Sequence, residues 1–193
     1  MTGTNQKKIP VILLYGGIAS LCIILYTIGT WKGGISTFIG GAAYGMYLIP
    51  VGFAIAGGLV AKKRGRGFIG FRATLQVCFG IIVLALAVQM LFTWILVHFI
   101  DPRFGRDLVP AVMAKMEATY RHFGMPEDEI ARNVEAAKGT DPFGFSSMAI
   151  GLARNYIVGF LIAALMAALI KNQRPKHQQP KDQQPQGGPF KIQ

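Results

Sequence analysis

Four long apolar stretches, divided by two short polar breaks and one long one, set the pattern of this chain. The first covers residues 9–29, which is 21 residues without a charge. The others cover residues 35–61, 73–100 and 143–170. About 20 apolar residues cross a bilayer as a helix, and stretches longer than that tilt or extend into the headgroups. The third stretch holds only Cys78 and His98 as titratable groups, and the fourth holds one charge, Arg154. The pattern predicts an all-α membrane protein with four transmembrane helices. The first stretch follows Lys7 and Lys8, as a signal peptide would. It is longer than a normal signal core and no small-x-small cleavage site follows, so it reads as a retained span.

The long break between the third and fourth stretches has a helical period of its own. Leu108, Val109, Val112, Met113, Met116, Tyr120 and Phe123 recur every three or four residues. Gly124 is a C-terminal stop signal. Pro126 then suits the first position of a second helix, and Glu127, Asp128 and Glu129 oppose the positive end of its dipole. Ile130 and Val134 form its apolar pair. The expected architecture is a small external helical hairpin between helices 3 and 4. Its apolar stripe is expected to pack on the protein, because a membrane-surface helix usually has a polar face rich in Lys and Arg.

The predicted organisation is a cytoplasmic N-terminus (1–8), three spans (9–100), the external hairpin loop (101–142), the fourth span (143–171) and a cytoplasmic tail (172–193). In the tail, Pro175-Lys176-His177-Gln178-Gln179-Pro180 is echoed by Pro180-Lys181-Asp182-Gln183-Gln184-Pro185. Such Pro/Gln repeats bury nothing and predict disorder. Between helices 2 and 3, Gly65-Arg66-Gly67-Phe68-Ile69-Gly70-Phe71-Arg72 reads as an interfacial anchor.

Composition agrees with this frame: 52% of residues are apolar and 15% charged, against roughly 25% charged in soluble domains. The net charge of +11 does not point to nucleic acid, because the bases cluster at the ends of apolar runs. Lys7, Lys8, Lys62, Lys63, Arg64, Arg66, Arg72, Lys171, Arg174, Lys176, Lys181 and Lys191 fall on one side, twelve in all. Lys32, Arg103, Arg106, Lys115, Arg121, Arg132 and Lys138 fall on the other, seven in all. The positive-inside rule predicts that both termini are cytoplasmic.

Several of these elements in order carry a resemblance. Gly67-Phe68-Ile69-Gly70-Phe71-Arg72 opens a membrane helix, and Ile100-Asp101-Pro102 closes it. Phe123-Gly124-Met125-Pro126-Glu127-Asp128-Glu129-Ile130 then ends an external helix before a last span. Over residues 9 to 172 the chain resembles the bacterial, Bacteroidetes-type membrane family called domain of unknown function (DUF) 4199. The resemblance implies topology and a multi-pass location in the bacterial inner (cytoplasmic) membrane of the envelope, and it implies no mechanism. Neither Arg154 nor the tail is part of the resemblance.

The remaining question is chemistry. Arg154 sits about ten residues into the fourth helix, where a charge costs roughly 2.5–3.5 kcal/mol on insertion scales. By helical rise it and Asn155 match the depth of Gln89 on helix 3, with Tyr44 on helix 2 and Tyr26 on helix 1 nearer the outside. Arg154, Asn155, Gln89 and Tyr44 are therefore the candidate polar intramembrane cluster, with Arg154 expected inside the bundle and hydrogen-bonded to Gln89. Two roles stand open for it. One is structural, as a helix cross-link or a side chain reaching the outer headgroups; the other is an anion or lipid-phosphate contact. No Asp or Glu lies in any span. His98-x-x-Asp101 lacks a third metal ligand unless His122 or Asp141 joins it. No catalytic motif is present, and no metal or cofactor is expected. Gly41-x-x-x-Gly45, Ser36-x-x-x-Gly40 and Gly159-x-x-x-Ala163-x-x-x-Ala167 predict close helix packing within the bundle rather than between copies. Pro50 predicts a kink in helix 2, and Cys22 and Cys78 read as small packed residues.

The expected function is a non-enzymatic structural or accessory subunit of an envelope complex. The alternative is a carrier or flippase-like protein for an anionic or lipid-linked substrate met by Arg154. The partners expected are the lipid bilayer and either a membrane-protein partner or further copies of the chain, with no nucleic acid.

Overall fold

A computed structural model describes residues 9–65, 67–138 and 141–171. The N-terminal segment 1–8, Arg66 of the interfacial anchor and the repeat tail 172–193 lie outside the described residues. Among the described residues six α-helices follow in order: α1 (Ile9–Lys32), α2 (Ile35–Arg64), α3 (Phe71–Ile95), α4 (Pro102–His122), α5 (Glu127–Lys138) and α6 (Phe145–Ile170). A π-helical turn, Leu96–Ile100, extends α3. Among the described residues four helices are long and apolar enough to cross a membrane: Pro10–Lys32, Tyr44–Arg64, Phe71–Ile100 and Phe145–Ile170.

Burial supports the same conclusion. Only 28–39% of the residues in the apolar windows of these four helices are buried inside the protein. Leu13, Leu21, Leu25, Leu48, Leu161 and Leu169 all point outward. Water would penalise so much exposed apolar surface, whereas lipid does not.

The helix α3 is central. It packs against α1, α2 and α6, and among the described residues the α1 and α6 backbones do not approach each other. Its buried face, Val77, Cys78, Ile81, Ile82, Ala85 and Leu86, meets Val11 and Ala19 of α1, Ala54 of α2, and Ala163, Met166 and Ile170 of α6. A smaller core at the far end joins Phe38 of α2, Leu96 and Val97 of the π turn, and Leu108 of α4. The bundle therefore has a basic end, with Lys62, Lys63, Arg64, Arg72 and Lys171, and a hairpin end carrying α4 and α5.

Glycines set how closely the helices approach. The predicted Gly41-x-x-x-Gly45 contact lies within the bundle, and it seats a side chain rather than a helix backbone. The Tyr26 ring of α1 occupies the notch at Gly45, and its hydroxyl donates to the Gly41 carbonyl at 2.9 Å. A Cβ on Gly159 would lie 2.9 Å from Ile82 Cγ2, so α6 depends on a small residue there to approach α3. Pro50 lies inside a continuous α2. Having no N–H, it deprives the Met46 carbonyl of its helical donor.

The hairpin begins earlier than its apolar period suggested. The helix α4 starts at Pro102 rather than near Leu108, and Asp101-Pro102 is an N-cap followed by the favoured first helical residue. Asp101 Oδ1 accepts from the Phe104 N–H at 3.0 Å. At the other end of α4, Gly124 takes φ 75°. Its N–H donates to the Arg121 carbonyl and the Met125 N–H to the Tyr120 carbonyl, both at 3.1 Å, which makes a Schellman stop. The carbonyl of Pro126 receives the first bonds of α5, so Pro126 caps that helix rather than opening it. Ile130 is buried between α5 and α4.

The π turn was not legible in the sequence. It is closed by the Asp101 N–H donating to the Leu96 carbonyl at 2.8 Å. Against it lies Gly105, whose absent Cβ would stand 2.7 Å from the Val97 carbonyl oxygen. Overpacking of this kind costs about 1–3 kcal/mol. We therefore expect Gly105→Ala and Gly45→Ala each to lower the thermal midpoint in detergent by several degrees. Gly17→Ala, which meets nothing within 4 Å, should leave it unchanged. Equal midpoints in all three variants would refute the close-approach account.

Candidate functional site

In lipid the backbone polar groups have to find internal partners, and the buried hydroxyls of the spans are satisfied within their own helices. The Ser20, Thr27 and Thr74 hydroxyls each donate to the carbonyl four residues back. Among the described residues no buried side-chain nitrogen or oxygen lacks a partner.

Interhelical ties are added to these. The Tyr47 hydroxyl of α2 donates to Asn155 Oδ1 of α6 at 2.9 Å. The Tyr156 hydroxyl of α6 donates to the Val83 carbonyl of α3 at 3.3 Å. The Thr27 hydroxyl of α1, bonded to the Ile23 carbonyl at 2.8 Å, also lies 3.4 Å from Gln89 Oε1 of α3.

The four residues of the expected polar cluster separate into two pairs. Gln89 and Asn155 both line one cavity of about 210 Å³ between α2, α3 and α6, together with Phe38, Met46, Met90 and Leu152. Tyr44 and Arg154 do not enter it. Tyr44 is 69% exposed on the outer face of α2. Arg154 is exposed on α6, on the same outward stripe as Ile150, Ile157 and Leu161. No hydrogen bond or ion pair reaches Arg154 from the described residues, so the expected bond to Gln89 is corrected. The reason is angular. Successive helix residues turn through about 100°, so Asn155 and Arg154 cannot share a face, and the buried face of α6 runs through Asn155, Gly159, Ala163 and Met166. Tyr47, whose partner is Asn155, was the residue that sequence reasoning missed. It stands one helical turn after Tyr44.

At the hairpin end, the His98 and Asp101 pair has other duties. His98 Nδ1–H donates to the Trp94 carbonyl at 3.0 Å. Asp101 Oδ2 accepts from Trp31 Nε1–H of α1 at 3.3 Å while Oδ1 caps α4. One carboxylate thus joins α1, the π turn and α4. Asp141 Oδ1 accepts from the Phe143 N–H at 2.9 Å, ahead of α6. Among the described residues, no three of the His, Cys, Asp or Glu side chains group as metal ligands would. His98, Arg106 and Asp141 line an open pocket of about 360 Å³ beside α4.

The hairpin is held at its base and braced at its tip. Phe38 of α2 packs edge-on to Phe104 of α4, with ring centroids 5.3 Å apart. Arg121 bonds Glu117 at 2.9 Å and Glu127 at 2.8 Å, joining α4 to α5. The bond from Arg121 holds the Glu127 carboxyl below the usual carboxylate range and pushes the guanidinium up.

A family model described as "Protein of unknown function (DUF4199)" matches residues 11–172. No curated protein matches the chain. No solved structure matches it either.

Two tests follow from this geometry. In double-mutant cycles on stability, Tyr47→Phe with Asn155→Leu should couple by roughly 0.6 kcal/mol, and by no more than about 1.7. Gln89→Leu with Arg154→Leu should couple near zero, since the two do not touch; a clear coupling there would return Arg154 to the interior. Acidity tests the brace. A carboxyl with a depressed folded pKa contributes its stability above its unfolded pKa and loses it as pH falls through the folded value. The α4–α5 contact should therefore hold at neutral pH and loosen on acidification below the ordinary carboxylate range. Glu127→Gln should flatten that dependence, as read by hydrogen exchange across residues 117–134.

Proposed function

The chain belongs to the DUF4199 family, and on that premise we propose that it is a non-enzymatic structural or accessory subunit of an envelope complex in the bacterial inner membrane. Both termini are cytoplasmic in this reading and the hairpin is external. The observation that carries it is how the hairpin is held. The helix α5 packs on α4 alone among the described helices, while α4 is seated on α2 and the π turn. The base is packed and the tip projects, with Phe123 79% exposed beside the Gly124 turn. A braced helix pair standing off a membrane bundle is suited to presenting a surface to another protein.

The twelve-to-seven basic asymmetry supports the orientation. Reporter fusions after Lys32 and Lys138 should read external, and fusions after Arg66 and Lys176 cytoplasmic. A cytoplasmic reading at Lys138 would overturn the topology. For the role itself, a photo-crosslinking residue in place of Phe123 should capture one protein stoichiometrically in native membranes. Replacing residues 106–136 with a short Gly/Ser link should abolish that capture while the four spans still insert. If no protein is captured at Phe123 or on α5, the accessory reading fails.

The alternative, a carrier or flippase-like protein for an anionic or lipid-linked substrate, is favoured by one observation: the cleft between α2, α3 and α6 carries two carboxamides, Gln89 and Asn155. Arg154 stands outside that bundle interior, so in this reading it meets a molecule of the bilayer rather than a solute passing between helices.

A further inference from the structure

Arg154 is the one charge in the four apolar stretches, and it sits on a stripe whose other members face lipid. The middle of α6, 26 residues long, lies near Ile157 and Val158. Arg154 is then roughly 5 Å toward the hairpin end, which places its Cα about 10 Å below the edge of a ~30 Å hydrocarbon core. Helical side chains lean toward the helix N-terminus, and the N-terminus of α6 is at the hairpin end. The guanidinium is therefore directed toward the headgroups of the hairpin-side leaflet.

The cleft of about 210 Å³ adjoins it. Its floor is α3 and its walls are α2 and α6. The Tyr47–Asn155 bond ties those walls together at its deep end. The remaining side faces the bilayer between the hairpin-end halves of α2 and α6. Arg154 directly precedes Asn155 and follows Gly151 by three residues, and both of those line the cleft. Gln89 Oε1 lies 3.4 Å from the Thr27 hydroxyl, whose one proton goes to the Ile23 carbonyl, and no described partner takes the Gln89 amide N–H groups. Since no buried side-chain nitrogen is unpartnered, those N–H groups are accessible, and Gln89 lines this cleft.

We propose that the seam between α2 and α6 is a binding site for one anionic glycerophospholipid of the hairpin-side leaflet. Arg154 takes the phosphate by charge-assisted hydrogen bonds. The Gln89 and Asn155 amides, one Arg side-chain length deeper, meet the ester carbonyls that lie below a phosphate. Met148 and Leu152, on the hairpin side of Asn155, line the slot beside the phosphate and glycerol, and the acyl chains run on inward along the outer faces of α2 and α6. Charge complementarity selects this occupant. A second copy related by a two-fold axis through α6 would set Arg154 against Arg154. The site does not rest on the hairpin's role, and each reading can fail without the other.

The experiment uses the full chain, purified in detergent, stripped of lipid and titrated with phosphatidylglycerol, with bound lipid counted by native mass spectrometry. The wild type should hold one phosphatidylglycerol, and diacylglycerol should not compete. Arg154→Gln should weaken binding at least about tenfold, and Arg154→Lys should restore part of it. Gly151→Leu should weaken it as well, because the first atom of a side chain there meets nothing within 4 Å and the rest fills the cleft. That variant keeps the test decisive if Arg154→Gln fails to fold. Unchanged affinity in either Arg154→Gln or Gly151→Leu overturns the proposal. So does displacement of the lipid by millimolar inorganic phosphate, which would make this a free-anion site. Lipid-free wild type that self-associates, and dissociates as Arg154→Gln, overturns it in favour of a second copy.

Discussion

The structure depends on α3 being in contact with every other span. Helices in lipid gain little from hiding apolar surface, since the solvent is itself apolar, so close fit and internal polar contacts hold them together. The ridge Val77, Cys78, Ile81, Ile82, Ala85 and Leu86 supplies the fit on three sides. With the described α1 and α6 backbones held apart, a loss of shape on α3 loosens all the pairings it makes. The small residues that flank it follow from this. Gly57 of α2 faces Ile81, and Gly159 of α6 faces Ile82, so the helices on either side give way to the bulk of α3.

Polar groups follow a parallel logic at a second level. Ser and Thr hydroxyls are satisfied within their own helices, which costs the bundle no freedom of arrangement. The Tyr hydroxyls reach further: Tyr26 ties α1 to α2, Tyr47 ties α2 to α6, and Tyr156 ties α6 to α3. A tyrosine crosses a helix interface with an apolar ring and brings a donor only to its far end. Three such ties fix helix rotation as well as helix distance. That rotation sends Asn155 inward and leaves Arg154 on the outer surface.

The hairpin end is built on a different device. A π turn inserts an extra residue into the helical ladder, shifting the register of the last turn of α3. It brings the Val97 carbonyl against Gly105, and Asp101 into position to cap α4 and bond Trp31 at once. The second core around Leu96, Leu108 and Phe38 then closes over that junction. Of the His98 and Asp101 pair, spaced as two metal ligands would be, Asp101 is used in this junction while His98 bonds back to the Trp94 carbonyl of its own helix.

Features that depend on composition along one helix were readable from the residues alone. The number of spans, the ends marked by bases, the Gly124 stop, the acidic first turn of α5 and the burial of Ile130 all arise from local chemistry: transfer free energy, dipole and glycine backbone freedom. Depth was readable in the same way, because helical rise is constant, and it brought Gln89 and Asn155 to one level and one cleft. What the sequence could not supply was rotation about each helix axis. All four spans are apolar nearly all round, so no polar face announces which side is inside, and a residue at the right depth can still point the wrong way. Arg154 and Asn155 are one residue's rise apart in depth but about 100° apart in angle, and that angle leaves one outside and turns the other to Tyr47. It is decided by glycine notches and tyrosine reach across interfaces, which exist only once the helices have met.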